Sequence, residues 1–85
     1  MIGMPYKILP TREFAKDFSN LSETEREMIR SKVEEASENP ERYKRLHYEL
    51  KGSFRLRVEK LRVIYSISKQ KQEMYLEKIV FGHKY

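Results

Sequence analysis

The apolar spacing of this chain changes period once, near Pro40, and that change limits the folds open to it. Before Pro40 the spacing is helical. Phe14 and Phe18 stand four apart with Ala15 and Leu21 continuing the face, and Met28, Ile29, Val33 and Ala36 form a second stripe. Thr11 is the expected N-cap of the first helix. Ser22-Glu23-Thr24-Glu25 is a capping box that starts the second at about Glu23. On the polar face of that helix Arg30 and Glu34 have the i,i+4 spacing of an ion pair. Asn39-Pro40 ends it, because the residue before a proline is pushed out of the helical region.

After Pro40 the period is two. Phe54, Leu56 and Val58 alternate with Arg55 and Arg57, which describes a half-buried strand with two arginines on its exposed face. Residues 62–67 follow closely and are expected to pair with it as an antiparallel hairpin. Residues 69–72 make a polar turn, and 74–81 form a further strand. Near the N-terminus residues 6–9 alternate weakly until Pro10 and read as a short strand. The expected fold is α+β: an N-terminal strand, then two helices packed on a small antiparallel sheet completed by three C-terminal strands. Phe54, Leu56, Val58, Val63, Tyr65 and Ile67 supply the face that the helices cover.

Size and composition exclude whole classes of function. Eighty-five residues, taken as one domain over 1–85, bury roughly 60% of the unfolded surface and leave no room for a cofactor-binding lobe. With no cysteine there is no disulfide scaffold and no thiolate zinc site, and His47 and His83 are too far apart to suggest a histidine-built one. Neither metal nor cofactor is expected. No apolar run approaches the ~20 residues of a membrane span, and no signal peptide opens the chain, so a cytoplasmic location without a membrane partner is expected.

The charge is concentrated. Residues 42–69 hold nine lysines and arginines against two glutamates, whereas the rest of the chain has nine bases and eleven acids. A basic surface of this kind suits a polyanion, nucleic acid first; a plain solvated face also fits. Strand geometry places Arg55 and Arg57 about 6–7 Å apart on one face. Arg62, across the hairpin, reaches the same neighbourhood. Three guanidiniums there can clamp a phosphodiester and stabilise charge on a phosphorane-like transition state. His83, Lys84 and Tyr85, after the last strand, bring groups able to move a proton; they also fit a frayed tail.

The run Leu50-Lys51-Gly52-Ser53-Phe54-Arg55-Leu56-Arg57-Val58, with Arg62-Val63-Ile64-Tyr65 and the closing Gly82-His83-Lys84, resembles the RelE/ParE toxin superfamily of type II toxin–antitoxin systems. The likeness covers nearly the whole chain and is nearer the RelE branch, whose members cleave mRNA in the ribosomal A site. It implies a microbial-RNase-like fold and a metal-independent endoribonuclease (mRNA interferase) that inhibits translation. It also implies the ribosome and mRNA as partners, and a small cognate antitoxin bound in a hetero-oligomer. On this resemblance Lys51, Arg55, Arg57 and Arg62 contact nucleic acid, and Arg62, His83, Lys84 and Tyr85 form the catalytic set. Tyr65 matches the motif tyrosine, but its inward face makes it a core residue. Two features depart from the family pattern: the hairpin closes through Glu59-Lys60-Leu61 without a glycine, and Tyr85 directly follows Lys84, where relatives place a tyrosine further on. The alternatives are a catalytically inactive relative and a ParE-like gyrase inhibitor that acts by binding.

Overall fold

The computed structural model describes residues 4–45 and 52–82. The elements run β1 (Lys7–Pro10), α1 (Arg12–Ser19), α2 (Glu23–Ala36), a 3-10 turn (Pro40–Arg42), β2 (Lys44–Arg45), β3 (Ser53–Val58), β4 (Leu61–Ser68) and β5 (Glu73–Phe81). They form one five-stranded sheet in the order β1-β5-β4-β3-β2. The three C-terminal strands are antiparallel as expected, but β1 joins β5 in parallel, so the sheet as a whole is mixed. A four-residue strand carries no pattern that reveals its neighbour or its direction. Strand β2 is also additional to the expectation, and two residues are too few to show a period.

Strand β1 covers only part of the outer edge of β5, ending at the pair Pro10 and Leu76. Proline lacks an N–H and is tolerated there because β1 is itself an edge strand. Beyond it, α1 takes over. The N–H of Thr11 donates to the Leu76 carbonyl at 2.9 Å, and its hydroxyl donates to the Glu77 carbonyl at 2.9 Å while accepting from the N–H of Phe14 at 3.1 Å. Asp17 Oδ2 then accepts from the N–H of Ile79 at 3.0 Å. Backbone groups that the short strand would leave bare are thereby satisfied by the Thr11 N–H and by the side chains of Thr11 and Asp17.

The capping box of α2 forms as expected, with Ser22 and Glu25 exchanging hydrogen bonds at 3.0 and 3.2 Å. Ile29, Val33 and Ala36 turn inward and Met28 flanks them, packing on Phe54, Leu56, Val58, Leu61, Val63 and Tyr65 of the sheet. Two helix details differ from expectation. Ala15 is exposed, because the short α1 buries only a narrow stripe centred on Phe14 and Phe18, and Ala15 lies a hundred degrees round from Phe14. Arg30 pairs with Glu27 at 3.5 Å, not with Glu34, and sits 5.6 Å from the centroid of the Phe18 ring. No helix among the described residues is long and apolar enough to cross a membrane.

Candidate nucleic-acid interface

Glu59 and Lys60 alone separate β3 from β4, and Val58 faces Leu61 across the turn. Glu59 supplies the positive φ (57°) that a turn this tight requires, at a cost of about 1–2 kcal/mol that a glycine would avoid. The tight closure fixes the register, so Arg57 lies directly opposite Arg62 and Arg55 opposite Ile64. By strand alternation all three arginines lie on the sheet face turned away from the helices.

Two like charges placed directly across a ladder destabilise it. Among the described residues no carboxylate pairs with Arg55, Arg57 or Arg62. Partial burial lowers the pKa of Arg62, and Arg57 and then Arg55 lower it further. The guanidinium stays charged nonetheless.

Arg62 is also held. Its Nη1 donates to the carbonyls of Glu59 and Leu61, both at 2.8 Å. Its guanidinium lies against Gly82, where a Cβ would sit 2.6 Å from Cζ. Only glycine leaves that space. The N–H of Gly82 meanwhile donates to the Lys60 carbonyl at 2.8 Å, tying the end of β5 to the hairpin turn.

The three arginines border a cleft of about 450 Å³, lined also by Lys32, Glu35, Arg42, Tyr43 and Leu56. Strand β2 pairs only with Phe54 and Arg55, so among the described residues the edge of β3 at 56–58 is open, and the cleft runs round it to the helix side. There Lys32 and Glu35 of α2 form the far wall, 3.8 Å from one another. Five bases and one acid line the cavity. Such a site suits an anion with an apolar part.

Of the residues expected from sequence, Arg55, Arg57 and Arg62 are brought together. Lys51, His83, Lys84 and Tyr85 lie outside the described residues, as does His47. Tyr65 is fully buried, and its hydroxyl donates to the Pro40 carbonyl at 2.5 Å. Burial and the neighbouring Tyr43 push its pKa well up, so it is a core residue and no proton acceptor.

No protein-family model matches the chain, and no curated protein sequence does. Solved structures do. A chain of the toxin–antitoxin complex RelBE2 from Mycobacterium tuberculosis superposes with a TM-score of 0.86 at 23% identity, over 95% of this chain and 97% of that one. The isolated E. coli RelE toxin gives 0.76 at 19% identity, over 89% and 83%. The chain has the RelE-like fold. A YoeB/ParE toxin from Agrobacterium tumefaciens shares it, with a TM-score of 0.76 at 18% identity over 88% of this chain and 96% of that one.

Set in the RelE-like fold, the arginine trio occupies the β3–β4 hairpin that the sequence motif marks. The second wall has no such mark. Arg42 counts only toward the basic segment, and Lys32, Glu35 and Tyr43 carry no local signal, since their place depends on how α2 meets the β3 edge.

Proposed function

We propose that this chain is the toxin of a type II toxin–antitoxin system and acts as a ribosome-dependent mRNA endoribonuclease. The observation that carries the reading is the arginine trio, which no carboxylate neutralises among the described residues: all three arginines line one open cleft and two are opposed across a ladder. A fold gains nothing by gathering like charges, whereas a phosphodiester offsets the repulsion when it binds. The RelE-like fold and the motif in the hairpin support the same reading.

In the proposed reaction the ribose 2′-oxygen attacks the adjacent phosphorus and its proton passes to a base. The bond to the 5′-oxygen breaks, that oxygen takes up a proton, and a 2′,3′-cyclic phosphate remains. The nucleophile belongs to the substrate, so the protein has to align it, stabilise charge and move protons. Arg55 and Arg57 hold the backbone, and Arg62 faces the developing charge on the non-bridging oxygens. Arginine cannot serve as the base. His83, whose imidazole can both take and give a proton, is the base we assign from the expected set, with Lys84 and Tyr85 beside it in sequence. Exchange of His83 for glutamine is expected to remove an acid limb at about pH 6–7 from the pH–rate profile, as measured by single-turnover cleavage.

Binding is expected to weaken steeply with salt. Replacing both Arg55 and Arg57 by alanine should flatten the plot of log affinity against log salt by about 0.7–1 for each phosphate the chain no longer meets, and leave the fold intact with a melting temperature no lower than before, since the opposed pair is relieved. An unaltered slope would show that neither arginine meets a phosphate. The deciding experiment for the function is primer extension on message in translating ribosomes, with and without the chain. Codon-positioned cuts support the nuclease. Loss of supercoiling without cuts supports a gyrase inhibitor, and neither effect an inactive relative. The cognate partner would be a small acidic protein, so growth arrest on expression should be relieved by co-expressing it.

A further inference from the structure

Next to the arginine trio the cleft has a feature that phosphate binding does not use. Tyr43 is half-buried against the core, and the Arg42 guanidinium lies 5.3 Å from its ring centroid. Both residues line the cleft with Leu56, Arg55, Arg57 and Arg62. The sequence places them where they cannot avoid each other: Pro40 opens a single 3-10 turn that ends at Arg42, and Tyr43 turns into extended backbone at the entrance to β2. The turn is anchored from below, since the Pro40 carbonyl accepts from buried Tyr65. Arg42 is exposed and, among the described residues, has no carboxylate partner. Its flat cation rests on an aromatic ring that is itself fixed by the core.

From this arrangement we infer that Tyr43 and Arg42 form a base-stacking subsite, which takes one unstacked base of single-stranded RNA while the arginine trio holds the adjoining phosphate. This deepens the proposed function and rests on it. A guanidinium plane backed by a tyrosine ring offers a base the same flat, polarisable surface as another base, and bases stack on either group. The cleft volume of about 450 Å³ falls within the range of pockets that hold a molecule of nucleotide size. Stacking of this kind tolerates all four bases, so the subsite requires a base without selecting one. It would hold the target nucleotide away from its neighbours, with the phosphate beside it in reach of Arg55, Arg57 and Arg62.

The test uses the full chain and a fluorescent six-nucleotide 2′-O-methyl RNA, whose blocked nucleophile prevents cleavage, together with the same strand made abasic. Anisotropy titrations should show the base-bearing strand bound about tenfold more tightly, the scale of one good stack. In Arg42→Lys, which keeps the charge but not the plane, that preference should shrink towards one while the salt slope stays as it was. Tyr43→Leu, which keeps apolar bulk against the core, should have the same effect. Equal affinity of the unaltered chain for the two strands overturns the stacking subsite and leaves the nuclease reading standing. So does an undiminished preference in both variants. If neither strand binds, the subsite falls and primer extension in translating ribosomes decides the nuclease by itself; a chain that prefers bases but cuts no message there keeps the subsite and loses the nuclease.

Discussion

Arg62→Ala is expected to lower the rate of message cleavage by about 10²–10³-fold, the usual loss when one preorganised electrostatic group is removed. Affinity should fall far less, because Arg55 and Arg57 still meet the backbone. The structure explains why Arg62 should matter so much to the rate. Two backbone carbonyls and the surface of Gly82 fix its guanidinium before any substrate arrives, so little reorganisation remains for the moment of reaction. Arg62→Lys should recover only part of the rate, since a point charge lacks the planar fork that meets two phosphate oxygens at once. Gly82→Ala is an independent check. The added methyl group must displace the guanidinium, so the rate should fall while the charge and the salt slope of binding stay the same. Single-turnover cleavage read beside equilibrium binding separates the two effects. Equal losses of rate and affinity in Arg62→Ala would reduce that residue to one more phosphate ligand.

The largest effect on stability is expected at Tyr65. Its ring is fully buried and stacks on Phe54 with centroids 5.3 Å apart. Tyr65→Ala should cost about 3–5 kcal/mol, the range for deleting a large aromatic side chain from a core. Tyr65→Phe is the more informative variant. It keeps the packing but leaves the Pro40 carbonyl without its donor, for a loss of about 1–3 kcal/mol. Urea denaturation should show a lower midpoint and an unchanged slope. Cleavage per folded molecule should persist in Tyr65→Phe; a collapse of rate with the fold intact would move this tyrosine from the core to the chemistry.

What could be read from sequence followed from local rules. Alternation set the face of Arg55 and Arg57, and a short hairpin brought Arg62 to their neighbourhood; the turn is one residue tighter than the expected Glu59-Lys60-Leu61, because Leu61 already pairs with Val58, and that puts Arg62 opposite Arg57. Ser22 and Glu25 announced a helix start because capping is contained within four residues. Other features depend on distant parts of the chain. The parallel pairing of β1 follows from which strand has a free edge after the hairpins close. Ala15 turned outward because an eight-residue helix buries little more than two phenylalanines. The cleft has two walls, and only one is a hairpin; Lys32 and Glu35 reach it through the docking of α2, which no spacing in the sequence encodes.

The parallel pairing has a consequence for the order in which the molecule can be made. Strand β5 sits between β1 and β4, so the first strand has no partner until the last is synthesised. Helix α1 waits too, since Thr11 and Asp17 find their acceptor and donor at Glu77 and Ile79. Contacts this distant along the chain come late in folding and make the whole structure depend on them. Arg62 is subject to the same delay, because Gly82 is the surface its guanidinium rests on. A chain still being translated can therefore close the β3–β4 hairpin and gather its arginines before Arg62 has its full support. The last support of the Arg62 guanidinium arrives only with residue 82.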